Sequence, residues 1–288
     1  MAVSNNGTQI SPCPVCQNVY FEKIFTKKGR DFWRCSNCGL EKIFPLPTLE
    51  ELKNYYDESY SEGMYKTFIE AREMKLLTAK ERLKQISSHC SQGRWLDIGC
   101  SDGVFVEQAQ LQGMQSEGID LSEVAIEEAR KRNLSVYYSS VENFEPEHKY
   151  DTVTAFDVLE HVLDPVGFVQ SVRSLLLPGG KVVLSLPDQG SVICKLMGKS
   201  WYFYIPEEHL HYFNKSTVAK LLTNAGFVVE RRMATYKPLT YNYSLTQFKE
   251  YNPLIYKVLS WVSKLLPEKV KNISIPLYIG EMMIVARN

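Results

Sequence analysis

Between about Arg94 and Val229, short apolar runs alternate with amphipathic ones. The runs RWLDIG (94–99), MQSEGID (114–120), LSVYYSS (134–140), YDTVTAFDVL (150–159) and KVVLSLP (181–187) have the length and β-branched content of strands. SDGVFVEQAQLQG (101–113), LSEVAIEEARKRN (121–133), DPVGFVQSVRSLL (164–176) and STVAKLLTNAGF (216–227) place apolar residues at helical spacing. Ser122 is a helix cap, and the helix after it has acids first and bases last, which suits its dipole. Helices alternating with buried strands predict a parallel α/β sheet. VVERRMAT (228–235) and the closing IGEMMIVARN (279–288) predict further strands, with an aromatic-rich insertion between them.

Residues 46–88 read as helical. Thr48 and Glu51 form a capping-box pair for LEELKNYY. A longer helix is predicted from about Lys66 to Gln85, with Phe68, Leu76, Leu83 and the adjoining Ile86 as apolar positions. Residues 1–45 are turn-rich and hold four of the seven cysteines. The chain thus divides into 1–45, 46–88 and 89–288, with 187–215 and 237–276 as insertions that leave the sheet.

Composition narrows the classes. In 288 residues, 33 Lys and Arg balance 33 Asp and Glu, and 44 % of residues are apolar. These values exclude a disordered or fibrous chain. Zero net charge argues against bulk nucleic acid as partner. The opening MAVSNNGTQISPCP lacks a basic start and apolar run, and no stretch reaches about 18 apolar residues. With cysteines read as reduced thiols, the expectation is a cytoplasmic protein without a transmembrane helix.

Cys13 and Cys16, then Cys35 and Cys38 after an 18-residue spacer, make two C-x2-C knuckles. Four thiolates converging in a tetrahedron suit structural Zn2+, with rubredoxin-like iron as the rival metal. The six Lys and Arg against three Asp and Glu in 1–45 give only weak support to an RNA-docking role. Cys90, Cys100 and Cys194 read as packing residues.

The turn Asp97-Ile-Gly99-Cys100-Ser101-Asp-Gly103 joins a strand to a helix. Glycines there let backbone approach a ligand, and helix amides face an anion. Asp120, 17 residues beyond Gly103, closes the next strand, where a carboxylate can take both ribose hydroxyls. An adenosine-type ligand is implied; NAD is disfavoured because G-x-G-x-x-G is absent. These residues resemble the class I S-adenosylmethionine-dependent methyltransferases. Asp97, Gly99, Cys100, Ser101 and Gly103 match the family's first motif, with Ser101 where a glycine is usual. Asp120, with Leu121, matches the ribose-binding acid, and Ser140-Val141 the adenine contact. Phe156-Asp157-Val-Leu-Glu160-His161-Val matches the fourth motif, and Leu177-Pro-Gly-Gly180 a further mark before the fifth strand. The resemblance implies a Rossmann-like seven-stranded sheet, S-adenosylmethionine as methyl donor, and a cap of helical and aromatic segments over the active site.

Methyl transfer to a hydroxyl needs an acceptor for the proton. His161 follows the fourth strand, and His209 and His211 lie in Pro206-Glu-Glu208-His-Leu-His-Tyr-Phe213; all three are candidates. If that stretch is extended, the two imidazoles share one side. Glu160 and Glu208 are candidates for orienting an imidazole. Trp201-Tyr-Phe-Tyr204, Tyr236, Tyr241 and Tyr243 are candidate pocket walls, although packing is the commoner role of such clusters. The lysines and helical apolar spacing of 252–272 allow a homodimer face or a weak membrane-surface contact. The expected activity is O-methylation of a small acceptor such as a sugar, polysaccharide precursor or secondary metabolite. The alternatives are RNA base methylation docked by the ribbon, sugar C-methylation, and a non-catalytic binding protein.

Overall fold

A computed structural model of the chain describes residues 2–3, 9–48, 51, 64–242, 245 and 253–288. Strands β1 (Ala2–Val3) and β2 (Gln9–Ile10) pair with each other. β3 (Phe21–Lys27), β4 (Arg30–Cys35) and β5 (Glu41–Phe44) form an antiparallel meander. Helix α1 (Met64–Ile86) leads into the alternating region. There follow β6 (Arg94–Ile98), α2 (Val104–Leu111), β7 (Gln115–Asp120), α3 (Glu123–Arg130), β8 (Val136–Tyr138) and β9 (Tyr150–Phe156). The chain continues through α4 (Pro165–Leu175), β10 (Leu176–Pro187), α5 (Val192–Met197), β11 (His211–Tyr212) and α6 (Lys215–Asn224). β12 (Val228–Leu239), α7 (Pro253–Ser263), α8 (Glu268–Lys271) and β13 (Ile275–Arg287) complete it.

The main sheet has seven strands in the order β12-β13-β10-β9-β6-β7-β8. All neighbours are parallel except β13, which runs antiparallel to both β10 and β12. The expected α/β class and seven-stranded sheet are therefore found. Strand alternation splits the core between two faces. Leu96, Ile98, Val153, Val182 and Leu184 pack on one, with Phe168 and Val172 of α4 and Leu221 of α6. Trp95, Val183, Met283 and Val285 pack on the other, with Leu83 of α1 and Phe105 of α2. The chain starts the sheet at β6, builds outward to β8, then returns to β9 on the other side. That reversal is the topological switch point at the carboxyl ends of β6 and β9, where open α/β sheets have their ligand crevice.

Several elements differ from the sequence expectation. β8 is only three residues long, because at the sheet edge only Val136 is buried. β10 begins at Leu176 and absorbs the Pro-Gly-Gly turn as a register shift before Lys181. β12 and β13 outrun their predicted lengths and stay paired to Leu239 and Ile275. The chain between them is thus 240–274, shorter than the 237–276 expected. At residue 48 the predicted capping pair is formed: Thr48 N–H donates to Glu51 Oε2 at 2.7 Å, and Glu51 N–H to Thr48 Oγ1 at 3.1 Å. The rest of LEELKNYY, and Tyr243, lie outside the described residues.

The amino-terminal sheet is not self-contained. Its order is β11-β5-β4-β3, so its fourth strand comes from residues 211–212. Phe32 and Ile43 of the meander are buried with Cys194, Trp201, Tyr204, Leu210 and Tyr212. Trp201 and Tyr204 therefore serve packing, as such aromatic clusters more often do. Among the described residues no helix is long and apolar enough to cross a membrane.

Candidate active site

The turn after β6 needs left-handed backbone at three points. Gly99 and Gly103 each have φ 73°, and Ser101 has φ 51°. A Cβ at Gly99 would stand 2.6 Å from Val158 Cγ2, so glycine is demanded by space as well as by conformation. Ser101 tolerates the strained region with a small side chain whose Oγ meets Lys75 Nζ of α1 at 3.3 Å. The Cys100 side chain packs away from the crevice, against Val106, Ile126 and Val136, so only its backbone is available there. Asp97 is buried and accepts from Thr154 Oγ1 at 2.6 Å; burial pushes its carboxyl up to about 7.

Asp120 closes β7 beside this turn. Ser101 N–H donates to its Oδ2 at 2.7 Å and Ser122 N–H to its Oδ1 at 2.8 Å. These bonds fix the carboxylate plane at the crevice, while burial raises its pKa. Leu121 beside it is exposed, Ser140 is half-buried and Val141 is buried. The glycine turn at the start of α2, together with an oriented carboxylate, fits a ribose-bearing ligand with its anionic end at the helix amides.

β9 ends at Phe156, and Asp157 leaves it with φ 57°. Around Asp157 lies a charge cluster that the sequence did not announce. Arg82 Nη2 of α1 reaches Asp157 Oδ2 at 2.6 Å, and Lys237 Nζ of β12 reaches the same oxygen at 3.2 Å. Lys237 also meets Glu281 Oε1 of β13 at 2.5 Å. Lys237 and Arg82 together hold the Asp157 carboxyl below the usual carboxylate range. The Arg82 guanidinium also sits 4.5 Å from the centre of the Phe156 ring.

Beyond this cluster, Glu160, His161 and His209 come together, with donor atoms all within 4.8 Å of one another. The imidazoles of His161 and His209 meet edge to face at 4.8 Å between centroids. His209 Nδ1 lies 2.8 Å from the Phe203 carbonyl, so it carries the proton and Nε2 keeps the lone pair. The His161 ring donates to the backbone carbonyl of Glu208. Glu208 thus reaches the imidazole through its backbone. Burial lowers the pKa of both histidines, that of His209 to about 3. At His161, Glu208 and Asp157 offset part of that burial effect. Glu160 is 2 % exposed and neither carboxyl oxygen has a hydrogen-bond partner among the described residues. Burial and the neighbouring Asp157 raise its pKa well above normal. The donor set of one carboxyl and two imidazoles could also hold a cation.

His211 does not join them. The turn at 206–208 precedes His209, and only His209 of the 209/211 pair joins the cluster, so the two imidazoles do not share one side as expected. The His211 ring is 2 % exposed, lies outside the Glu160–His161–His209 cluster, and its Nδ1 has no hydrogen-bond partner among the described residues.

A family model described as a methyltransferase domain matches residues 68–231, more than half of the chain. The chain belongs to the methyltransferase-domain family. A ubiquinone biosynthesis O-methyltransferase of Nitrosospira multiformis is 33 % identical over 172 residues, covering 54 % of this chain and 72 % of that protein. One from Aromatoleum aromaticum is 29 % identical over 178 residues, covering 57 % and 76 %. Among solved structures, an S-adenosylmethionine-dependent methyltransferase of Archaeoglobus fulgidus aligns with TM-score 0.51 at 20 % identity, over 77 % of this chain and 99 % of that one. A phosphoethanolamine N-methyltransferase of Haemonchus contortus, solved with S-adenosylhomocysteine, aligns with TM-score 0.54 at 18 % identity, over 86 % and 62 %. These structures share the methyltransferase's fold.

The methyltransferase also brings its four amino-terminal cysteines together. Cys13 and Cys38 Sγ lie 3.5 Å apart, as do Cys16 and Cys35 Sγ, and all four sulfurs are within 4.8 Å. None is in a disulfide. A tetrahedron with Zn–S of about 2.3 Å has edges of about 3.8 Å, so the spacing fits a bound zinc ion. Arg82, Lys237 and Glu281 escaped the sequence reading, because only α1 and the β12–β13 register bring them to the motif. Glu281 alone left a local trace, as an acid inside the apolar run IGEMMIVA.

Proposed function

We propose that this methyltransferase methylates a hydroxyl oxygen of a small acceptor, with His161 taking the hydroxyl proton and a structural Zn2+ held by Cys13, Cys16, Cys35 and Cys38. The observation that carries the reading is the His161–His209 pair at the carboxyl end of β9, beside the glycine turn and Asp120. S-adenosylmethionine supplies an electrophilic methyl on a sulfonium. On this reading Asp120 orients the ribose, and the Gly99–Gly103 turn brings backbone against the ligand. Asp97 and the backbone around Phe156 and Asp157 line its amino-acid end, and Leu121, Ser140 and Val141 its base. His161 is held by the Glu208 carbonyl and is unprotonated at neutral pH, so it can accept a proton as the oxygen bonds to the methyl. The names of the relatives, ubiquinone biosynthesis O-methyltransferases, support oxygen as the atom and a small molecule as the acceptor class. The orphaned Glu160 carboxyl favours a second reading, in which Glu160, His161 and His209 hold a divalent cation that ionises the hydroxyl.

The test is transfer of labelled methyl to a panel of dihydroxy aromatic acids, sugars and RNA. Label is expected on oxygen of a small molecule, with His161→Ala lowering turnover about 10²–10⁴-fold. Label on RNA or on carbon, or no transfer, would contradict the proposal. Loss of activity on chelation, restored by a divalent cation, would favour the second reading.

A further inference from the structure

The amino-terminal sheet and the histidine cluster are joined by an unbroken series of hydrogen bonds. Cys35 ends β4, and β4 pairs with β5 through Trp33 and Lys42. β5 pairs in turn with β11, through Lys42 with His211 and Glu41 with Tyr212. Ile43 N–H donates to the Leu210 carbonyl at 3.1 Å. On its other side, the same segment grips the fourth motif. Leu210 and His211 N–H both donate to the Glu160 carbonyl, at 2.8 and 3.2 Å. The His161 ring donates back to the Glu208 carbonyl. Residues 208–212 therefore lie between a strand of the cysteine unit and the motif bearing His161.

A side-chain clamp reinforces this. Glu41 is fully buried; its Oε1 accepts from Arg34 Nε and Nη2 at 3.0 and 2.7 Å, and its Oε2 accepts from Tyr204 OH at 2.7 Å. Tyr204 follows Phe203, whose carbonyl fixes the His209 tautomer. The carboxyl-terminal part of the chain is also tied down: Gln189 Nε2 donates to the Gly39 carbonyl at 2.9 Å and Asn224 Nδ2 to that of Val15 at 2.8 Å.

We propose that the four-cysteine unit is a positioning part of the active site: its sheet sets residues 208–212, and Glu41 and Tyr204 act as positioning residues for His161 and His209. The proposal rests on the reading of His161 as proton acceptor. It also explains why a ribbon that could serve as a separate docking module shares its fourth strand with the chain beside the active site. A small metal-held sheet is rigid for its size, and an imidazole must be held within fractions of an ångström to act.

The test uses the full chain with two variants, Cys16→Ser and Tyr204→Phe. Zinc content, amide hydrogen exchange, imidazole NMR signals and S-adenosylhomocysteine affinity are measured for each. In Cys16→Ser, zinc is expected to be lost, and exchange at Ile43, Leu210 and His211 to rise at least tenfold. The amides of β6 and β9 and the ligand affinity should stay within about twofold of wild type. Tyr204→Phe keeps the metal and should move the His161 and His209 imidazole signals. Wild-type protection at Leu210 and His211 in a folded, zinc-free Cys16→Ser protein would overturn the proposal. Unmoved imidazole signals in Tyr204→Phe would also overturn it, and this variant decides alone if Cys16→Ser does not fold. If His161→Ala transfers methyl at the wild-type rate while these results hold, the link stands and the role given to His161 falls.

Discussion

Acidification from pH 7.5 to 5 probes the buried histidines. His211 is 2 % exposed, and burial with the nearby Lys42 charge pushes its pKa down to about 3, against a usual 6.5. The folded ring therefore stays neutral where the unfolded one takes a proton. The stability it contributes is complete above pH 6.5 and is lost as pH falls toward the folded value. Each pH unit below 6.5 costs about 1.4 kcal/mol, so the loss by pH 5 is about 2 kcal/mol. Asp97 works in the opposite sense. Its carboxyl is pushed up to about 7, so stability withheld at high pH returns on acidification. A wild-type curve alone would mix these with His209 and the other shifted buried groups, and the difference from His211→Gln isolates one. Glutamine keeps a polar side chain of similar length but cannot titrate. Urea unfolding at several pH values should show the wild-type advantage over His211→Gln shrinking by about 2 kcal/mol between pH 7.5 and 5. Parallel pH profiles for the two proteins would refute the assignment of a buried neutral imidazole.

Two other substitutions test the frame of the crevice. Gly99→Ala combines left-handed backbone, worth about 1–2 kcal/mol, with the approach to Val158, worth about 1–3 kcal/mol. Unfolding free energy should therefore drop by about 2–5 kcal/mol, and a loss under about 1 kcal/mol would mean the turn adapts. Lys237→Met leaves Glu281 buried without its cation and Asp157 with Arg82 alone; a loss of about 3–5 kcal/mol is expected in the same assay, and neutrality would show that water or rearrangement replaces the lysine.

The chemistry that needs fixed spacing was legible in the chain. The two C-x2-C pairs meet because each knuckle fixes its own thiols and β4 carries the second pair back to the first. The Asp97–Gly103 turn and Asp120 were legible because a strand–turn–helix unit is local and its register follows from β6 and β7 alone. What depended on distant pairing was hidden. Lys237 and Glu281 reach Asp157 only through the β12–β13 hairpin, and Arg82 only through the face that α1 turns to the sheet. The aromatic stretch 201–204 gave no sign that half of it would seal the cysteine unit, because Phe25 and Phe32, its partners, are about 170 residues away. The histidine pair was half legible: two imidazoles do meet, but the ring that meets His161 is that of His209, and His211 lies outside the cluster.

Calorimetric titration with S-adenosylhomocysteine, on the wild type and on Asp120→Ala, tests the donor site most directly. One molecule per chain should bind the wild type, and loss of hydrogen bonds to a charged acceptor should weaken binding about ten- to a hundredfold in the variant. No binding to the wild type, or equal affinity in both proteins, would contradict the account.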